Sequence, residues 1–346
     1  MICLILLFLL PVYCLNCSPS NRGTRREWGS LSGNERKEYI NAIRCMQTTP
    51  SILSRERYPG IRHRMDDFTV VHISYAPHIH SNGALLAWHR EFLWRWEQAL
   101  RQECGYQGYL PYWDWSLHAK LTDSPLFDNS PTSLSGDGDP DADLCVTTGP
   151  LANMTVHFSQ KNGPNLELPP NIFDYTPHCL SRHMNSSATA RFANAAVIRR
   201  VLASPDIITF QERIDISSDP AVRAREFGPH AAGHEAMMGT MRDFFSSPQD
   251  PVFMLHHGMI DRIWAMWQAL DEENHRWAIN GTMSLHNFPL TPELTLDTNF
   301  GFGVLGRDKR MRELMHPQMS DYCYEYGNTD VRSPTIFEKK IQQPVT

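Results

Sequence analysis

Six histidines of this 346-residue chain fall into two groups of three. His72, His80 and His89 lie within residues 67–90. His230 and His234 lie within residues 227–235, and His257 closes residues 250–257. Imidazole suits zinc, copper, iron and nickel, whereas carboxylate-rich sites suit harder ions. No carboxylate takes a matching position in the first group. Three neutral ligands per metal leave coordination positions open, which marks a reactive site rather than a closed structural one. One histidine on an apolar helix face is as readily a hydrogen-bonded core residue as a ligand. Six of them in two such groups suggest two metal ions held side by side.

The elements that must carry these rings can be read from periodicity. His230 and His234 are four residues apart, which puts both rings on one helix face. Leu85, Leu86, His89, Leu93, Trp96 and Leu100 recur at three- and four-residue steps, so residues 84–102 are expected to form a helix. His257 opens a similar series with Ile260, Ile263, Trp264, Trp267 and Leu270 within residues 250–270. The expected fold class is mainly α: a four-helix bundle holding a dinuclear metal site, with long irregular loops and little β. Pro77 and Gly83 interrupt the stretch between His72 and His89, so His78 and His80 are expected on a loop. Arg90, Glu91, Arg95, Glu97 and Arg101 read mostly as solvated charges. Glu97 and Asp114 are candidate acceptors for the outer N–H of a metal-bound imidazole, with a cap or turn as the other role for Asp114.

Several segments carry a family resemblance. They are Ile79-His80, Ala87-Trp-His-Arg-Glu91, Pro111-Tyr-Trp-Asp-Trp115, the run from Asp250 through His256-His257 and Asp261 to Trp264, and Cys323-Tyr-Glu-Tyr326. Together they resemble the two copper-binding regions and the late tyrosine motif of the type-3 copper proteins. These are the tyrosinases, catechol oxidases and haemocyanins, and the similarity is greatest to the short secreted fungal members. The resemblance runs from about Arg26 to Tyr326. It implies copper A on His72, His80 and His89, and copper B on His230, His234 and His257. It makes His256 and Phe253 neighbours of the ligands, His256 beside the ring of His257 and Phe253 packed on the copper B imidazoles, with Asp261 placed similarly. Many fungal relatives carry a cysteine, cross-linked to a histidine, where this chain has His78, so no such thioether is expected.

Two departures bear on activity. Ala231 follows the first copper B ligand, where many monophenol-hydroxylating members place an asparagine that orients a water. Alanine cannot do so, which argues against monophenolase activity. Glu235 follows His234 and is a candidate general base beside a dinuclear cation site; the alternatives are a surface glutamate or a ligand-orienting acceptor.

The resemblance implies a dinuclear copper oxidoreductase that oxidises o-diphenols or o-aminophenols to quinones with O2. Two Cu(I) ions together supply the two electrons that reduce O2, and the substrate returns two. Tailoring of a fungal secondary metabolite is the expected setting. One alternative is a redox-neutral, cyclopenase-type lyase in such a pathway, with zinc in a similar site and Glu235 as its base. A second is an O2-binding, haemocyanin-like protein.

The rest of the chain sets the context. It is 41% hydrophobic and 20% charged, with nine tryptophans and fifteen methionines, ample for a sizeable core. A net charge of −6 with no basic stripe argues against nucleic acid as a partner. Residues 1–16 read as a secretory signal peptide, too short an apolar run for a membrane span. Residues 17–346 read as one tyrosinase-like domain with no C-terminal lid domain. The expected location is outside the cell or in the secretory lumen. Cys17, Cys45, Cys104, Cys145, Cys179 and Cys323 then permit three disulfides in many connectivities. Asn153, Asn185 and Asn280 open glycosylation tripeptides, as does Asn16. Further helices are expected over residues 30–46, 187–203 and 205–214, and little regular structure over residues 121–185.

Overall fold

A computed structural model describes residues 17–160, 167–215 and 226–327. The expected signal peptide, Asn16 and the chain beyond Gly327, where a lid domain was not expected, lie outside the described residues. Helix α1 (Gly33–Met46) begins at Ser32, whose hydroxyl accepts the Glu35 N–H while the Glu35 carboxylate accepts the Ser32 N–H. This reciprocal capping box sets its start. Trp28–Ser30 forms a separate 3-10 turn before it. Tyr39, Ile40, Ile43 and Met46 face inward, as their spacing requires.

Helices α2 (Arg64–Ile79) and α3 (Leu85–Glu103) follow. Pro77 does not end α2 early. It sits in the last turn, the bond its N–H would have donated to Ile73 is lost, and the helix still runs on to Ile79. His78 is therefore helical and exposed, not on a loop, while His80 is the extended residue just past the helix end. The segment expected as one helix over residues 187–203 is two, α4 (Ser186–Phe192) and α5 (Ala195–Leu202), because Asn194 caps a new start by accepting from Ala196 and Val197. Then come α6 (Ile207–Ile214), α7 (Pro229–Met237) and α8 (Val252–Leu270). The site is built on α2, α3, α7 and α8, with α3 packed along α8.

The strands are short: β1 (Gly23–Arg25), β2 (Thr155–Val156), β3 (His178–Cys179), β4 (Asn299–Phe300), β5 (Lys309–Arg310) and β6 (Tyr324–Tyr326). β1 pairs with β6 in parallel, and β2–β3 and β4–β5 are antiparallel. The fold is thus mainly helical, as expected. Three disulfides join Cys17 to Cys323, Cys45 to Cys104, and Cys145 to Cys179. Such bonds persist in oxidising compartments. Among the described residues, no helix is long and apolar enough to cross a membrane.

The charges of α3 correct the sequence reading. Arg90, Glu91, Arg95 and Glu97 are buried, not solvated. α3 is buried over most of its length, so these charges had to find partners rather than water. Arg90 donates to Asp261 at 2.6 Å, Glu97 accepts from Arg25 and from the Leu110 N–H, and Glu91 holds Arg95, Lys309 and Tyr322. Asp261 also takes Arg25 and the hydroxyls of Tyr324 and Tyr326. That carboxylate ties α3, α8, β1 and β6 together. Arg90 is next to His89, and Asp261 is one helical turn beyond His257. The network therefore sets the register in which those two rings meet.

Candidate metal centre

His72, His80 and His89 converge so that one ring nitrogen from each lies within 4.8 Å of the others. Each ring is fixed from behind. Nδ1–H of His72 donates to the Phe245 carbonyl at 2.7 Å, that of His80 to Ala76 at 2.9 Å, and that of His89 to Leu85 at 2.8 Å. These bonds fix the tautomer and leave each Nε2 lone pair free to ligate. Nε2 of His72 and of His89 is buried with no hydrogen-bond partner. A buried orphan nitrogen is costly unless something satisfies it, and a metal ion would.

The second group forms in the same way. His230 and His234 project from one face of α7 and His257 from α8. Nδ1–H of His234 donates to the Met241 carbonyl at 2.7 Å. Nδ1–H of His230 donates instead to a buried carboxylate, Asp215, at 2.6 Å. Nε2 of His230 and of His257 is again a buried orphan. The two groups face each other. The His89 and His257 rings stack with centroids 4.2 Å apart, and His80 lies nearly parallel to His230 at 6.2 Å. The residues present thus fit two metal ions, one per trio.

His256 also falls within the second cluster, against His230, His234 and Trp115. Its ring fills the space over Gly233, where a Cβ would come within 2.2 Å of it. Glycine between His230 and His234 on α7 is what lets α8 approach so closely. Phe253 lies beneath both trios, with centroids 5.1 Å from His72 and 4.2 Å from His257. On the opposite side His234, Ala231 and Phe244 are partly exposed, and Phe244 packs on His80 at 4.8 Å. The site reaches solvent there.

Burial, reinforced by the neighbouring histidines, pulls the imidazole pKa values down, to about 3 for His80 and for His234. His72, His89 and His257 are lowered for the same reasons. The folded rings are therefore neutral, the form that binds metal. For the metal-free protein the sign of the pH effect follows. Unfolded imidazoles take up protons near 6.5, while these folded rings resist until about 3. Stability is full above pH 6.5 and falls as pH drops below it. Denaturant midpoints of metal-free protein should be clearly lower at pH 5 than at pH 7.5.

Other candidates land elsewhere. Glu235 does not face the trios: its carboxylate pairs with Arg242 at 2.8 Å and is partly exposed. Glu235 shares a helix face with Ala231, four residues earlier, beside the face of His230 and His234, and its carboxylate is turned to Arg242. Asp261 and Glu97 serve the α3–α8 network and bond to no ligand ring. Asp114 caps the turn at Trp115–Leu117 by accepting from Ser116. Asp215, which the sequence reading did not single out, is the carboxylate that orients the His230 ring. Burial pushes its pKa up, but His230 and Ser81 outweigh this and hold it below the ordinary carboxylate value.

Facing helices that present two opposed histidine trios, five of the six rings hydrogen-bonded from behind, are an arrangement that fits a dinuclear metal protein. Residues 62–270 match the family model described as the common central domain of tyrosinase. The chain is 48% identical over 285 residues to oxidase hkm6 of Aspergillus hancockii, covering 76% of this chain and all of that one. It is 43% identical to tyrosinase P of Aspergillus terreus, over 87% of this chain and 91% of the relative. It is 39% identical to N-acetyl-6-hydroxytryptophan oxidase ivoB of Emericella nidulans, over 90% and 93%. A polyphenol oxidase from Thermothelomyces thermophila superposes with a TM-score of 0.82 at 34% identity, covering 90% of this chain and 91% of that one. The chain belongs to the tyrosinase family and is a tyrosinase-like oxidoreductase, a class that acts on phenolic substrates with O2. Family membership implies dinuclear copper.

Proposed function

We propose that the protein oxidises o-diphenols or o-aminophenols to o-quinones in fungal secondary metabolism, with one copper on each trio. The observation that carries this reading is the pair of facing trios in which Nε2 of His72, His89, His230 and His257 is buried with no other partner. When bound, the two coppers together pass two electrons to O2 and recover two from the substrate. The chain does the rest. His72, His80 and His89, and His230, His234 and His257, hold their lone pairs inward because their outer nitrogens are tied down, His257 being held instead between His89 and Phe253. The apolar floor of Phe253, Phe92 and Trp88 excludes water. Phe244 offers a ring face at the solvent side to an aromatic substrate.

Ala231 lies beside His230 at that open side and has no side-chain donor or acceptor. Monophenol hydroxylation is expected to be about 10²–10⁴-fold slower than catechol oxidation, the range a positioned proton acceptor contributes. Initial rates with tyrosine and 4-methylcatechol check this. The pairing of Glu235 with Arg242 favours the oxidase over the redox-neutral lyase reading, in which Glu235 was the candidate base. Glu235→Gln should leave catechol turnover within about twofold of wild type, since a largely exposed ion pair contributes little.

The disulfides agree with secretion. Asn153 is exposed, Asn185 spends only its side-chain oxygen capping α4, and Asn280 would give up a bond to Gln211 to carry a glycan. The test of the whole reading is metal content and O2 uptake on protein made with both metals supplied. Two coppers per chain and catechol-dependent O2 uptake support it. Zinc in their place, with no O2 uptake, overturns it.

A further inference from the structure

Outside the dinuclear centre, His63, Asp66 and His157 also bring ligand atoms within 4.8 Å of one another. Asp66 Oδ2 lies 3.3 Å from His63 Nδ1 and 2.9 Å from His157 Nδ1. Four ligands at about 2.0–2.1 Å around zinc sit about 3.3 Å from each other, so these separations are those of ligand-polyhedron edges. The two imidazole rings are 4.9 Å apart and inclined by 53°.

Two unsatisfied atoms mark the same place. His63 Nδ1 is buried with no hydrogen-bond partner despite its closeness to Asp66. Thr69, one turn along α2, is fully buried, and its Oγ1 is likewise without a partner. His63, Asp66 and Thr69 line one tight crevice with Met154, Thr155, Val156 and Gln249, too narrow for a water molecule. Asp66 Oδ2 accepts the backbone N–H of Arg62 at 2.7 Å and of His63 at 3.1 Å, the second as part of the helix cap, which fixes the carboxylate in place. Neighbouring cations do not compete for it: Arg64 is taken by Asp67 and Glu103, and Arg62 lies over Tyr175.

We propose that His63, Asp66 and His157 form a third metal site, for a divalent ion of zinc type, separate from the dinuclear centre. Two imidazoles and one carboxylate suit zinc or a similar transition ion, and the Thr69 hydroxyl is the further oxygen available to the shell. In the metal-free arrangement His157 Nδ1–H donates to Asp66; with metal, that proton resides on Nε2 and the Nδ1 lone pair faces the ion. Burial lowers the His63 pKa, Asp66 only partly countering it, so the ring is neutral at physiological pH. The site's place in the fold indicates its role. His63 and Asp66 start α2, which carries His72. The His157 N–H is held at 2.8 Å by Gln249, immediately ahead of the segment that leads into α8 and His257. A metal here clamps the start of the copper A helix to the entrance of the copper B helix.

The test is metal stoichiometry on protein whose dinuclear centre has been filled with copper and then dialysed against zinc. Wild type should hold one zinc beyond the metals of the histidine trios. His63→Ala and His157→Asn should lack that equivalent while keeping the other two. Cobalt(II) in place of zinc should give visible ligand-field bands in wild type only, and added zinc should raise the wild-type thermal midpoint but not that of either variant. The readout is a difference of one equivalent between wild type and variant, so it is independent of which metal fills the trios and of catalytic turnover. No extra equivalent in wild type, or an extra equivalent that survives both substitutions, overturns the proposal and leaves a hydrogen-bonded histidine–aspartate cluster. If neither variant folds, the cobalt spectrum of wild type decides alone: imidazole and carboxylate ligation supports the site, and an unchanged spectrum overturns it.

Discussion

His257→Ala should give a folded protein that retains metal on one trio only and oxidises catechols at background rate. His257 is held by stacking on His89 at 4.2 Å and on Phe253 at 4.2 Å, and Nε2 has no protein partner. Removing the ring leaves the second ion with two imidazoles from α7. Losing an outer partner of a ligand costs about 10–100-fold in affinity or activity, and losing the ligand itself should cost more. The effect on stability separates this from simple unfolding. Truncating a buried ring costs packing, about 3–5 kcal/mol for a large aromatic. Here that is offset in part, because the alanine protein no longer buries orphan polar nitrogens. Metal-free wild type and variant should therefore lie closer in denaturant midpoint than the metal-loaded forms. The loaded wild type gains stability by binding metal in the folded state alone, and the variant loses the share contributed by its missing ion. His89→Ala should mirror this on the first trio. Full metal content and turnover in both proteins would show that the trios are not the metal ligands.

How much of this was legible in the sequence differs from residue to residue. The ligand helices could be read because His89 and His257 ride on long apolar series that a 3.6-residue period generates. The charges on the same helix could not. Periodicity reports which face is apolar, and it is silent on whether the other face meets water or a distant partner. Arg90 finds Asp261 171 positions away, and Glu91 finds Lys309 218 positions away. Glu235 misled because adjacency in sequence is not adjacency on a helix surface. The braces behind His72 and His234 are the carbonyls of Phe245 and Met241, and a backbone carbonyl carries no residue signature. The disulfide pairing was open for a related reason: spacing does not reveal which chain ends the fold brings together, as it does Cys17 and Cys323 across the β1–β6 pair. His63 and His157, 94 positions apart, belong to the same class of facts.

Asp215 is the sharpest case, and it carries the second large prediction. It terminates α6, fifteen positions before the ring it serves, with no pattern to mark it. Its carboxylate is the one charged brace in the centre; the backs of His72, His80, His89 and His234 are held by neutral carbonyls. A charged acceptor makes the imidazole a stronger donor to the metal and holds its tautomer. Asp215→Ala should lower retention of the second ion about 10–100-fold, measured by competition with a chelator of known affinity, with catechol oxidation falling in step. The first ion should be held as in wild type. Asp215→Asn keeps an acceptor oxygen for His230 but not the charge, so it should fall between the two. Asp215 also borders a cleft lined by Ser81, Asn82, Gln211 and Asn280. Formate supplied through that cleft should restore part of the lost affinity in Asp215→Ala and do nothing for wild type. Such rescue is the outcome that a general loss of packing at the end of α6 would not produce. If the alanine protein holds its second ion as tightly as wild type, His230 is fixed by α7 alone and the carboxylate is dispensable.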